Sequence, residues 1–206
     1  MAMKRRKLGN PLALAVLVTL WQKPMHPYEI AQTLRSQGKD ATTKIKYGSL
    51  YTVVQNLQKH GFVEVAEVER AGNRPERTVY GLTDAGREEA ADWLSDLLAV
   101  PVKEFPIFET ALSFLAVLPP DDVVRLLRER LQSLEVEVVS GRAALEKLYE
   151  TLPRLFLVEA EYQVHMVEAQ AEWIRGFLQE IESGSLPGVD VWRRFHETGE
   201  LPPEFT

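Results

Sequence analysis

Apolar residues recur with helical spacing in three short segments near the start of the chain. Leu12–Trp21 is almost continuously apolar, and Asn10 and Pro11 before it have the residue types of an N-cap and a first-turn proline. A second segment begins at His26-Pro27 and ends before Gly38. A third, 48–60, has one apolar face at i, i+3, i+4 and i+7, formed by Leu50, Val53, Val54 and Leu57. This pattern predicts three helices.

The spacing then changes to that of β-structure. Phe62–Val65 and Thr78–Leu82 are β-prone runs on either side of a loop, 71–75, that is rich in turn-forming residues. A two-stranded hairpin is marginal by itself, so we expect it to pack on the helices. Three helices closed by a hairpin predict a winged helix-turn-helix at residues 1–84.

From residue 85 onwards the pattern is helical throughout. Apolar residues at alternating spacings of three and four run through 121–150 and again beyond Pro153. Two consecutive heptad stripes predict an antiparallel helical hairpin with coiled-coil packing. The stripes are too long for the first domain to cover, so we expect them to pack on each other and on a second copy; an intramolecular bundle is the alternative. The candidate dimerisation residues are Val124, Leu127, Leu131, Leu134, Val164, Val167, Ile174 and Leu178.

The predicted fold class is therefore mainly α with a small β-wing. Residues 1–84 form the winged helix-turn-helix, 85–185 form a helical dimerisation domain, and 186–206 form a C-terminal tail. The tail contains glycines, prolines and the segment Val189–Phe195. We expect it to be a docked strap or to be partly disordered.

Charge is distributed unevenly along the chain. Residues 1–80 hold 13 Lys and Arg against 6 Asp and Glu, whereas residues 81–206 hold 11 against 24, and the net charge is −6. A basic N-terminal part on an acidic body is expected when only one end meets a polyanion; chance asymmetry with an acidic solubilising face is the alternative. The absence of cysteine excludes disulfides, thiol catalysis and cysteine-ligated zinc, and it fits a cytoplasmic protein.

The first apolar run follows Lys4-Arg5-Arg6-Lys7, as in a secretory signal. It ends in Trp21-Gln22-Lys23-Pro24, without the small residues of a cleavage site, and about ten residues are too few to span a bilayer. We therefore expect a buried helix preceded by a basic arm, and no membrane association.

The third helix is the one that enters the major groove in a helix-turn-helix. Its outward positions carry hydroxyl, amide and amine groups, which suit base edges and phosphates. Upstream lysines and wing arginines are placed to contact the DNA backbone. The candidate DNA-contacting residues are Lys44, Lys46, Ser49, Tyr51, Thr52, Gln55, Gln58, Lys59, Arg70, Arg74 and Arg77. A solvated polar helix face is the alternative for any one of them.

Several motifs in this region resemble the PadR family of transcriptional regulators. They are Pro27-Tyr28-Glu29-Ile30, Gly48-Ser49-Leu50-Tyr51, Leu57 to Gly61-Phe62, Gly72-Asn73-Arg74-Pro75-Glu76-Arg77 and Tyr80-Gly81-Leu82-Thr83-Asp84-Ala85-Gly86. Tyr28, in the first motif, joins the candidate DNA-contacting residues. The stretch Ala111-Leu112-Ser113-Phe114 looks like part of the family's helical dimerisation region. The resemblance implies a homodimer that binds double-stranded DNA at a near-palindromic operator, and release by a small-molecule effector.

Other sites are weakly indicated. Trp21 and Trp93 are candidate effector-binding residues, because some small family members bind flat aromatics between tryptophans, although a core position for Trp93 is the alternative. Glu161, His165, Glu168 and Glu172 share one helix face and have side chains that bind divalent metals, although a charged surface row is expected instead. No nucleophile–base pair or phosphate-binding glycine loop is visible, so we expect neither an enzyme nor a cofactor. A winged-helix protein-interaction scaffold is the alternative function.

Overall fold

The first apolar run forms helix α1 (Pro11–Leu20) in the computed structural model, which describes residues 9–39, 47–69 and 77–200. The Asn10 carboxamide oxygen accepts the Leu12 N–H at 3.0 Å and Pro11 occupies the first turn, as predicted. Because α1 is apolar on most sides, it lies inside the N-terminal unit, with Val16 and Leu17 fully buried.

Helices α2 (Pro27–Ser36) and α3 (Tyr47–Lys59) pack against α1. Gly38 and Gly61 follow them at φ +70° and +76°, in the left-handed region that glycine adopts without strain. The core that the three helices share contains Leu20, Ile30, Ala31, Leu34, Leu50, Val54 and Leu57.

Strands β1 (Val63–Glu69) and β2 (Arg77–Leu82) form an antiparallel pair, which confirms the predicted wing. A bulge interrupts the register between Val65 and Glu67. Met25, in the link between α1 and α2, exchanges two backbone hydrogen bonds of 3.0 Å with Tyr80. The wing is thereby joined to the helices and does not stand alone.

Helix α4 (Asp84–Ala99) continues the N-terminal unit. Its Ala90 and Trp93 are buried in the same core as α1, and the chain divides into two compact units at Met1–Glu104 and Phe105–Thr206. The predicted boundary at residue 84 placed this helix in the C-terminal domain. The structure differs because Ala90 and Trp93 complete the first core, which the sequence pattern alone did not reveal.

The second unit is entirely helical in its described residues. Helix α5 (Ile107–Ser113) and a 3₁₀ turn (Leu115–Val117) precede α6 (Pro120–Tyr149). A second 3₁₀ turn (Arg154–Phe156) leads into α7 (Val158–Ser183), so α6 and α7 form the predicted antiparallel hairpin. No helix in the described part of the chain is both long enough and apolar enough to cross a membrane.

The seam between α6 and α7 is closed within one copy of the chain. Leu127, Leu134, Ile174 and Leu178 are all less than 9% exposed, and Val124, Leu131 and Val167 pack against them. The sequence predicted that these residues, with Val164, pack on each other and on a second copy. The first of these contacts is present within one copy of the chain, where Ile174 is completely buried.

Four polar pairs flank this seam at seven-residue intervals. Each step of seven along α6 is matched by a step of seven backwards along α7, as antiparallel coiled-coil packing requires. Two of the pairs join an arginine to a carboxylate at 2.9 Å and 2.7 Å, and a tyrosine hydroxyl donates at 2.7 Å in another. The pairs are Arg128–Glu182, Arg175–Glu135, Arg142–Glu168 and Tyr149–Glu161.

The tail contains an eighth described helix, α8 (Val189–Thr198), where a strap or partial disorder was expected. The Trp192 indole N–H donates to the Leu118 carbonyl at 2.9 Å, and the His196 Nε2 donates to the Ala116 carbonyl at 2.9 Å. The Arg193 guanidinium donates to the carbonyl of Ile181 at 3.2 Å. Through these bonds the tail is a docked helical strap within the second unit.

Candidate nucleic-acid interface

Helix α3 has one buried apolar face and one exposed polar face. Leu50, Val54 and Leu57 are at most 1% exposed, and Val53 is 7% exposed. Hydroxyl, amide and amine side chains occupy the exposed positions Ser49, Tyr51, Thr52, Gln55, Gln58 and Lys59. The predicted inward and outward faces are therefore confirmed. The polar face offers donors and acceptors along the whole helix, which is the requirement for reading base edges in a groove.

The start of α2 is joined to this face through His26. The His26 Nδ1 accepts the Tyr28 N–H at 3.1 Å, and the Glu29 carboxylate accepts the His26 N–H at 3.1 Å, so His26 is the N-cap of α2. The His26 ring also meets the Tyr51 ring edge to face, with centroids 6.2 Å apart. His26 thus fixes the position of Tyr51 relative to α2.

The sequence pattern places His26 at the start of the second helix and indicates no functional site for it. Its place immediately before Pro27, at the start of the predicted helix, was the available signal, because a ring nitrogen can cap a helix as an Asn or Asp oxygen does. Tyr28 lies beside it and is 48% exposed, and its hydroxyl accepts a hydrogen bond from the Gln32 amide at 3.2 Å. Gln32 therefore contacts the hydroxyl of Tyr28, which is one of the predicted DNA-contacting residues.

The structure describes only some of the remaining candidate DNA-contacting residues. The Thr52 hydroxyl donates to the Gly48 carbonyl at 3.1 Å, so an oxygen lone pair is left for an outside donor. Lys59, at the end of α3, and Arg77, at the start of β2, are exposed. Both charges are available to DNA phosphates. Four candidates lie outside the described residues: Lys44, Lys46, Arg70 and Arg74.

The two candidate effector tryptophans lie in different surroundings. Trp93 is 4% exposed and belongs to the core of the first unit. Trp21 is 45% exposed, and the Arg87 guanidinium lies 5.3 Å from its ring centroid. Trp93 therefore occupies the core position that was the alternative to an effector-binding role.

Two glutamates on the acidic face of α7 accept hydrogen bonds from arginines and a tyrosine. Hydrogen bonds from Arg154 and Tyr149 hold the pKa of Glu161 below its usual value, and the bond from Arg142 lowers the pKa of Glu168 in the same way. Within 9–39, 47–69 and 77–200, no three His, Asp or Glu side chains are placed to share a metal ion. Two members of the row, Glu161 and Glu168, are ion-pair partners of Arg154 and Arg142.

Comparison with known proteins identifies the N-terminal region. Residues 16–92 match the model of the transcriptional regulator PadR-like family. The negative transcriptional regulator PadR of Bacillus subtilis is 22% identical over 126 residues, which cover 61% of this chain and 69% of that protein.

Solved structures agree in fold over both units. The crystal structure of Bacillus subtilis PadR in complex with operator DNA has a TM-score of 0.67 at 19% identity and covers 82% of this chain and 98% of that one. The structure of that protein with p-coumaric acid has a TM-score of 0.67 at 20% identity, covering 83% and 98%. The Vibrio cholerae virulence activator AphA has a TM-score of 0.62 at 18% identity, covering 84% and 98%. These findings show that residues 16–92 are similar to the transcriptional regulator PadR-like family and that the chain shares its fold with solved PadR structures.

Proposed function

We propose that this chain is a transcriptional regulator of the PadR type that binds a near-palindromic operator as a cytoplasmic homodimer, with α3 in the major groove and the wing on the adjacent backbone. Members of the family regulate transcription and are not enzymes. Beyond this general role, we propose the type of operator, the contact residues, the dimer and the direction of regulation.

One observation carries the DNA-binding proposal. The polar face of α3 is exposed from Ser49 to Lys59, while its apolar face is completely used by the core. A helix buried on one side and polar on the other is rigidly presented, so its amides and hydroxyls face outward at fixed positions. In helix-turn-helix proteins such a helix reads bases, and two of them about 34–36 Å apart read successive major grooves.

Fluorescence anisotropy on operator fragments selected from genomic DNA tests DNA binding directly. Two heads that neutralise about 6–10 phosphates lose roughly 10³–10⁵-fold in affinity between 50 and 200 mM salt. A protein-interaction scaffold shows no tight duplex binding at low salt, and that result would overturn the proposal.

Base reading is tested at Gln55, whose amide suits adenine. Gln55→Ala should reduce discrimination at one base pair of the operator by about 1–3 kcal/mol, because a bidentate amide–adenine contact is lost. Gln163→Ala is the control, since Gln163 is an exposed glutamine on α7. An equal loss of affinity on all sequences would contradict base reading by Gln55.

The dimer is supported by apolar side chains that the intramolecular seam leaves uncovered. On α7, Tyr162, Met166 and Trp173 follow helical spacing and are 64%, 48% and 49% exposed. On α6, Val136 and Val139 are 62% and 68% exposed. Monomeric proteins rarely expose apolar patches of this extent, so we propose that a second copy covers these outer faces of α6 and α7.

Sedimentation velocity tests this surface with a pair of variants on α7. Met166→Asp should dissociate the dimer, because a two-fold contact buries two unpaired carboxylates. Gln163→Asp, which adds the same charge at an exposed polar position, should leave the dimer intact. If Met166→Asp sediments as the wild type does, the dimer uses another surface.

We also propose that the protein acts as a repressor released by a small molecule. The Bacillus subtilis relative is named a negative regulator and has been crystallised with p-coumaric acid. An effector weakens operator binding only by its differential affinity for two arrangements of the dimer. Spin labels on the two heads test this, because an effector that leaves the distance between the labels unchanged does not act by this route.

A further inference from the structure

A small cavity in the second unit lies between α5, the 3₁₀ turn and the start of α6. Its volume is about 240 Å³, and its walls are aliphatic apart from the ring of Phe108 and the side chain of Arg130. The aliphatic walls include Leu112, Leu115, Leu118 and Leu127. Apolar walls with one or two polar groups are typical of sites for small organic ligands.

Apart from Arg130 on α6 and Arg194 on α8, the arginines in the described part of the second unit form ion pairs with carboxylates. They are Arg125, Arg128, Arg142, Arg154, Arg175 and Arg193. The Arg130 guanidinium instead lies 4.0 Å from the Phe108 ring centroid and donates to the Gln170 amide oxygen at 3.3 Å. Among the described residues, no carboxylate lies within ion-pair distance of it. A guanidinium has five N–H donors, and the Arg130 side chain is exposed, so its other donors are accessible to an anion.

The wall of the cavity is held in place by the C-terminal strap. Trp192 and His196 of α8 donate to the carbonyls of Leu118 and Ala116, which belong to the segment that carries the wall residues. On the opposite side, Arg130 and Gln170 connect α6 to α7. The cavity is therefore built by fixed elements, as a preorganised binding site requires.

We propose that this cavity binds a monocarboxylic acid with a compact apolar body, whose carboxylate pairs with Arg130. A volume of 240 Å³ holds about eight groups the size of a water molecule, which corresponds to an acid of about eight carbons. The aliphatic walls favour an alkyl chain, and the single positive charge favours an anion over an amine or an alcohol. The use of this cavity as the effector site rests on the proposed function. Binding of the acid in the cavity does not depend on that function.

Isothermal titration calorimetry of the full chain with octanoate, in the absence of DNA, tests the site. Octanoate should bind saturably with one molecule per chain, and octylamine, which has the same chain length and opposite charge, should not bind. Because DNA is absent, failure of operator binding leaves this result unaffected. No saturable binding of octanoate at up to millimolar concentration, or equal binding of octylamine, would overturn the proposal.

Two variants and one control variant test whether octanoate binds in this cavity. Arg130→Gln should weaken octanoate binding about ten- to a hundredfold, because a charge-assisted hydrogen bond is lost. Arg125→Gln, which removes a carboxylate-paired arginine from the same helix, should bind as the wild type does. Ala111→Phe, which adds a ring to the cavity wall, should also weaken binding. Circular dichroism verifies that each variant is folded, and equal affinity of Arg130→Gln and wild type would exclude Arg130 as the anchor.

Discussion

Replacement of Gly86 by alanine should strongly destabilise the N-terminal unit. Gly86 lies in the first turn of α4, where its N–H donates to the Thr83 hydroxyl at 3.0 Å. A Cβ at this position would lie 2.0 Å from the Phe62 carbonyl oxygen and 2.8 Å from Leu82 Cδ1. The nearer atom belongs to the backbone, so a rotamer change cannot relieve the overlap.

The magnitude follows from three contributions. An ordinary carbon–oxygen contact is about 3.3 Å, so the two backbones must separate by about 1.3 Å, and overpacking of this kind costs roughly 1–3 kcal/mol. The same carbonyl accepts the Thr83 N–H at 3.1 Å, and loss of that bond adds about 0.5–1.5 kcal/mol. Alanine regains about 1 kcal/mol of helix propensity. The net loss in the free energy of unfolding is about 0.5–3.5 kcal/mol.

Thermal unfolding followed by circular dichroism measures this loss. For a unit of this size the midpoint should fall by about 2–28 °C. Gly176→Ala is the control: Gly176 is a helical glycine on α7, and outside the local backbone of its own helix no described heavy atom lies within 4 Å of the added carbon. That variant should raise the midpoint slightly, because helix propensity alone changes. A Gly86→Ala protein as stable as the wild type would refute the close approach of α4 to the chain before β1.

Three further outcomes are expected. Glu161→Gln should destabilise the hairpin at pH 7, because it removes the ion pair with Arg154. The hydrogen bond from Arg154 lowers the pKa of Glu161, so the stabilisation by this ion pair is present above about pH 4.5 and is lost as the pH falls further. Melting curves of variant and wild type, measured at a series of pH values, should therefore converge in acid. Thr83→Ala should lower the free energy of unfolding by about 1–2 kcal/mol in urea titrations, and Thr83→Ser, which keeps the capping oxygen, should not. Trp192→Phe removes the indole donor and should cost about 0.5–1.5 kcal/mol in the second unit; unchanged hydrogen exchange in α8 would contradict its role in holding the strap.

Much of the fold could be predicted from residue patterns because the signals are local. Asn10-Pro11 and His26-Pro27 mark helix starts, and Gly61 marks the end of α3, through backbone conformations that depend only on neighbouring residues. The two faces of α3 follow from the 3.6-residue period, since burial of Leu50 and Leu57 leaves the opposite positions to solvent. The polar candidate interface was therefore visible in the sequence.

The sequence by itself determined the element types, their order, and the separation of apolar and polar faces, because these depend on spacing along one chain. Only the tertiary structure decided which face met which partner. Heptad stripes indicate that a helix needs a neighbour and do not distinguish a second copy from α7, and only the structure shows that Ile174 is buried within one copy of the chain. Likewise, His26 against Tyr51 and Trp192 against the carbonyl of Leu118 join residues distant in sequence. Long-range contacts of this kind leave no periodicity in the chain, because each depends on where the rest of the fold places its partner.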